Sequence, residues 1–168
     1  MSILILVIII VCVYLGALTY TIIKVSKDVK EEEQKHKSKV SFFETYKLTG
    51  LPIITMKSGK KDVNFMVDTG SNNSFIDSSL IPDIDVTELP CIGKVAGLGK
   101  KVLETHFYNI KLNLRDKLDF EFEFQAFDFS STIPEQKGIE INGILGSDFF
   151  DKYKYVIDFK EYIAYTRK

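Results

Sequence analysis

Net charge of either sign is nearly absent from this chain: 22 lysines and arginines stand against 23 aspartates and glutamates in 168 residues, for a formal charge of -1. A nucleic-acid partner would leave a basic footprint, and the lysine-rich stretches here are interrupted by acids. Histidine and cysteine are scarce, with two of each. His36 and His106 are scattered relative to Cys12 and Cys91, so no cluster has metal-ligand spacing, and neither metal nor cofactor is expected. Cys12 falls in an apolar terminal run and Cys91 in the body of the chain, which argues against an intrachain disulfide. Cys91 reads as a small apolar residue, because no pairing with histidine supports a nucleophile. The glycine-containing run Lys94–Lys101 lacks the spacing of a phosphate-cradling loop. A Ser71–His106 hydrolase would lack both a strained nucleophile turn and a third group. The length leaves room for one modest domain and an appendage, not for two large lobes.

What the chain does have, at its start, is a long apolar run. Ser2 to Ile23 is uncharged and dominated by Ile, Leu and Val over about 22 residues, enough for a helix to cross a hydrocarbon core of about 30 Å. A cleaved signal peptide would carry Lys or Arg ahead of a shorter core, and no basic side chain precedes this one. Residues 1–24 therefore read as a single-pass transmembrane anchor. Lys24, Lys27 and Lys30 follow at once, and the basic side of a span tends to stay cytoplasmic. The expectation is a domain facing the cytosol, weakened by Asp28 and Glu31–Glu33, and an outward-facing topology stays open. Residues 25–44, rich in Lys, Glu, Gln and Ser at first, cannot bury a core. They form a juxtamembrane stalk, either a solvated helix or a flexible linker.

From about Ser41 short runs of β-branched and aromatic residues separated by turn formers argue for an all-β domain over residues 45–168. Leu51–Met56 and Val63–Val67 bracket Lys57–Lys61 as a hairpin. Phe75–Ile76, His106–Leu114 and Leu118–Phe129 are further strands, with Phe120, Phe122, Phe124 and Phe127 read as core rather than as a stacking platform. Ser147–Tyr153 carries an N-cap serine and apolar residues at helical spacing, so one short helix is expected near the C-terminus. Tyr155–Phe159 and Tyr162–Tyr165 close the chain as a hairpin about Lys160–Glu161.

The run Phe65-Met66-Val67-Asp68-Thr69-Gly70-Ser71 ends an apolar strand in a carboxylate that a tight turn presents outward. On its own this is a weak signal, since Asp and Gly are ordinary turn residues. It is followed by Phe75-Ile76 and, much later, by Ile144-Leu145-Gly146-Ser147-Asp148-Phe149-Phe150. Together, over roughly Tyr46 to Thr166, these elements resemble the retropepsin-like, or retroviral-type, aspartic proteases. The resemblance implies a closed β-barrel, the acid-protease half, with a short helix near its C-terminus.

It also implies roles. Asp68 would be the catalytic residue. Because the Asp-Thr-Gly run occurs once, the second carboxylate must come from a second copy, and a homodimer is expected. Two carboxylates so close cannot both ionise, so one keeps its proton while the other activates water. Thr69 would hydrogen-bond across the dimer, Gly70 would let backbone approach the carboxylate and offer an amide, and Ser71 would add a hydroxyl donor. Ile144, Leu145 and Gly146 would pack beneath the turn, with Gly146 avoiding a clash. A flap is expected at Lys94–Lys101, with Gly97 and Gly99 supplying backbone freedom and Val95, Ala96 or Leu98 near substrate. Ile76 and Ile144 are expected to line the cleft.

The expected function is a membrane-anchored aspartic endopeptidase acting on peptides or proteins in extended conformation. A membrane-tethered binding or scaffold module of the same fold is the alternative. Self-cleavage near Lys39 to Lys47 is a third possibility.

Overall fold

A computed structural model of the chain describes residues 3–96, 102–115, 118–129, 133 and 135–166. Helix α1, Ile3–Ser38, is 36 residues long. Its candidate membrane span, Val7–Glu33, is 0% buried against the rest of the protein. The first part of the helix, to Ile23, carries no charge, and an uncharged apolar helix that packs on nothing is suited to lipid. Helix α1 continues through the charged stretch to Ser38.

A two-residue strand β1, Val40–Ser41, comes next, and then a second helix α2, Phe43–Thr49, that periodicity did not reveal. Gly50 ends α2 in the left-handed conformation (φ 77°), its amide returning to the Tyr46 carbonyl at 2.7 Å; glycine adopts this cap without a Cβ penalty. The proposed self-cleavage stretch is thus already folded. Val40 and Phe42 are buried, and Phe42 packs edge-on against Tyr46, Phe159 and Tyr162. A protease that takes extended chain would have to unfold this segment first.

The remaining elements are β2 Ile53–Ser58, β3 Lys61–Val67, β4 Phe75–Asp77, a 3-10 turn Ser78–Asp83, β5 Val86–Ala96, β6 Val102–Leu114, β7 Leu118–Phe127, β8 Gly143–Leu145, α3 Ser147–Tyr153, β9 Tyr155–Asp158 and β10 Ile163–Thr166. The order β2-β3-β8-β4-β7-β6 closes on itself through the pairing of Lys57 with Asn113, giving a six-stranded barrel with β5 hydrogen-bonded outside β6. The domain is all-β apart from its short helices, as the resemblance implied. The expected hairpins form: β2 pairs with β3 about Gly59, whose φ is 60°, and β9 pairs with β10. At the latter turn Asp158 accepts the amides of Lys160 and Glu161 at 2.9 and 3.1 Å. Strand β1 adds to the outer side of β10, Val40 opposite Ala164, to make a separate three-stranded sheet.

The barrel interior follows from alternation. Val63, Phe65 and Val67 from β3 meet Phe120, Phe122 and Phe124 from β7, with Phe149 of α3 fully buried among them. Phe65 and Phe124 stack with centroids 5.4 Å apart, and Phe149 lies edge-on to Phe122 at 5.2 Å. A smaller cluster of Ile53, Phe129 and Ile141 forms a second apolar group, with Met66, Phe75 and Ile144 half-buried against it.

Candidate active site

Asp68 is the first residue past β3, and strand pairing fixes where it stands. Strands β3 and β8 run parallel, with Met66 opposite Ile144 and Val67 opposite Leu145. One step on, the Asp68 amide donates to the Leu145 carbonyl at 3.0 Å. The chain then turns: the Ser71 amide returns to the Asp68 carbonyl at 3.1 Å, and the Gly70 amide donates to Asp68 Oδ1 at 2.9 Å. The carboxylate is half-buried, while Thr69 and Gly70 are exposed. A Cβ at Gly70 would lie 3.2 Å from Asp68 Oδ1, so the absence of a side chain lets this amide reach the acid.

The second motif locks the first. The Ser147 amide donates to the Ser71 carbonyl at 2.8 Å, and a Cβ at Gly146 would overlap the Asn73 carbonyl. Gly146 also donates its amide to Ser74 Oγ at 2.9 Å. Ser74 in turn donates its hydroxyl to Asp148 Oδ1 at 2.6 Å and its amide to Asp148 Oδ2 at 2.9 Å. Asp148 Oδ1 takes the Phe149 amide as well, at 2.7 Å. Ser74 and Asp148 were not singled out in the sequence. Asp148 stands inside the second motif, where it was given no role, and Ser74 stands three residues past the first.

Gly143 belongs to the same construction. A Cβ there would stand 2.5 Å from ring carbons of Phe65 and 2.9 Å from the Phe75 carbonyl oxygen. Strand β8 can therefore lie between β3 and β4 only if this position is glycine. Asn142 guides the chain into place, its amide donating to the Asn64 carbonyl at 2.9 Å while its side-chain oxygen accepts the Asn64 amide at 3.0 Å.

The profile of the aspartyl protease family matches residues 54–149, from the second residue of β2 into α3. The match covers both halves of this locked turn. The chain belongs to the aspartyl protease family. No curated protein matches it.

Within this aspartyl protease domain three expectations need correction. Ile76 does not line a cleft: it is 0% exposed and belongs to the barrel core with Leu80 and Val67. Alternation along β4 sends Ile76 inward and leaves Phe75 and Ile144, which face one another across the β4–β8 pair, half-buried on the other side. The Ser71 hydroxyl donates to the Asn73 carbonyl at 2.7 Å rather than to Asp68. Ser147 does not cap α3; Gly146 occupies the cap position without a side-chain bond, and Ser147 is the first helical residue.

The expected flap falls on the β5–β6 hairpin, where Val95 pairs with Leu103 and Ala96 with Val102. Gly97, Leu98 and Gly99 lie outside the described residues. Gly93, further back on β5, lies under the ring of Phe107: a Cβ there would be 2.5 Å from Phe107 Cε2. Among the described residues no group of three or more His, Cys, Asp or Glu is placed to hold a metal ion.

Proposed function

We propose that this chain is a membrane-anchored, homodimeric aspartic endopeptidase in which each copy contributes one Asp68. The observation that carries the reading is the half-site itself: a single half-buried carboxylate, held by the Gly70 amide, on a turn fixed from below by Leu145 and Gly146. A lone carboxylate in this arrangement has no acid to pair with its base. A second copy supplies it.

In the dimer one Asp68 serves as the base and its counterpart as the acid. The ionised carboxylate takes a proton from water as the water oxygen attacks the peptide carbonyl carbon. The protonated carboxyl gives its proton toward the carbonyl oxygen, so negative charge never accumulates there. Collapse of the tetrahedral intermediate breaks the C–N bond, with a proton delivered to the departing nitrogen. Gly70 N–H holds Asp68 in place through these steps, and Thr69 is positioned on the exposed tip where a partner copy would meet it. The end of the β5–β6 pair at Val95 and Ala96 serves as part of the flap, and Ile144 lines the cleft.

The apolar part of α1 supports the membrane assignment. Confinement to a bilayer raises effective concentration, which favours a weak dimer. The protein's basic residues after Ile23 favour a cytoplasmic domain.

The test is cleavage of a diverse peptide pool by the full-length protein in bilayers, with Asp68→Ala beside it. Cleavage that the variant loses, with its fold intact, is the expected result. Peptide binding without cleavage by both proteins would replace this reading with a tethered binding module.

A further inference from the structure

Helix α1 does not end where its apolar stretch ends. Between Ala17 and Thr49 the sequence has neither glycine nor proline, and the helix runs unbroken past Lys24 to Ser38. Oppositely charged residues stand four apart at Lys24 and Asp28 and at Lys27 and Glu31, a spacing that supports a helix in water. At its far end the helix is fastened. Ser38 is 0% exposed, and its hydroxyl accepts the Thr166 amide of β10 at 2.9 Å. Only Lys39 separates it from β1, whose Val40 is buried and paired with Ala164 on the same β10. The domain therefore hangs from the helix by one fixed joint, with no flexible linker between span and barrel.

From Lys24 to Ser38 the helix rises about 20 Å at roughly 1.5 Å per residue. Single helices of this length bend gently rather than fold. We propose that the polar half of α1 is a spacer that sets the height of the cleft above the bilayer, and that the substrates are polypeptides anchored in the same membrane. This inference rests on the membrane-anchored peptidase reading and names the substrate class for it. An extended chain rises about 3.3 Å per residue, so a neighbour leaving the bilayer needs about six residues to reach the underside of the domain. The bonds cut lie beyond those six, in juxtamembrane stretches that are unfolded. Bonds closer to the membrane stay out of reach. Sharing a membrane raises the effective concentration of such substrates over soluble ones.

The test uses the full-length chain in proteoliposomes with single-span reporter proteins that carry a randomised, unstructured juxtamembrane stretch, the cut positions being read by mass spectrometry. Two variants carry seven-residue insertions between Glu33 and Gln34, one of helix-forming sequence and one of Gly and Ser. The expected result for the parent is that cuts begin no closer than about six residues from the reporter's span. The helical insertion lifts the cleft by about 10 Å, so its cuts should move outward by about three residues. The flexible insertion should scatter them. Cuts that stay in place in both variants would overturn the spacer while leaving the peptidase intact, as would cuts beginning next to the span. The same vesicles are also given soluble peptides: failure to cut either substrate class would overturn the peptidase reading, and the spacer with it.

Discussion

Ser74 and Asp148, 74 positions apart, join the two halves of the site: the serine gives both its hydroxyl and its amide to the two carboxylate oxygens, at 2.6 and 2.9 Å. Asp148 also caps the Phe149 amide, and Ser74 Oγ accepts from Gly146. This makes Asp148 the hub of a small polar network directly beneath the turn that carries Asp68. Asp148→Ala strands the hydroxyl and the amide of Ser74, while the Phe149 amide keeps the Gly146 carbonyl at 3.2 Å, and should cost about 2 to 3 kcal/mol in denaturant unfolding. Asp148→Asn, which keeps one acceptor, should cost about half of that. Ser74→Ala should be non-additive with Asp148→Ala by about 1 kcal/mol or more in a double-mutant cycle. Additivity would mean that the two residues stabilise the domain independently.

Gly146 has a different task, because its backbone passes the Asn73 carbonyl with no space for a side chain. The obstacle is main chain, which has no rotamer to relieve the overlap. Gly146→Ala should therefore destabilise the domain by about 2 to 3 kcal/mol and displace the 68–74 turn from Leu145. Peptide cleavage should fall further than the loss of folded protein explains. Wild-type cleavage by the variant at temperatures where it stays folded would show that the turn tolerates the shift.

Much of this architecture was legible in the residues. Alternation announced Phe120, Phe122 and Phe124 as core, and the Asp68 turn with Ile144-Leu145-Gly146 announced the family. The misses have physical causes. The resemblance implied Ile76 as a lining residue, but the turn from Asp68 to Ser74 shifts the alternation between β3 and β4, so Ile76 faces the core. Strand β1 is two residues long and exists only through its pairing with β10 near the other end of the chain, so no local pattern marks it. The Ser74–Asp148 link was hidden because neither residue type is unusual beside a turn or at a helix start; only their meeting is informative.

The hairpin of β5 and β6 depends on Gly93 and Phe107. A Cβ at Gly93 would meet Phe107 Cε2 and Cζ at 2.5 and 2.8 Å, so the ring fills the place a side chain would take. Covering a strand glycine with a cross-strand aromatic shields backbone that would otherwise be open to water. Gly93→Ala must push the ring aside and should cost about 1 kcal/mol. Phe107→Ala uncovers the glycine and should cost a similar amount. The double variant should cost less than the sum by about 1 kcal/mol, since the alanine methyl then occupies the vacated space. Equal or greater cost than the sum, read from unfolding curves, would show that the ring has another purpose.

Tyr155 opens β9 with a phenol that is 6% exposed and has no hydrogen-bond partner among the described residues. It sits against Phe149, Phe120 and Phe150. Burial pushes its pKa well above the ordinary tyrosine value, with the Arg115 charge acting the other way. The unfolded chain releases this proton near pH 10, whereas the folded chain retains it. The stability tied to Tyr155 is therefore complete below about pH 10 and declines as the pH climbs from there toward the folded-state value. Tyr155→Phe removes both the unpaired hydroxyl and the titration. Near pH 7 the variant should be as stable as the parent or better by about 1 kcal/mol. Above about pH 10 its unfolding midpoint should fall less steeply than that of the parent. A loss of more than about 1 kcal/mol near neutral pH would mean that the hydroxyl has a partner after all, and parallel alkaline slopes would place the buried proton elsewhere.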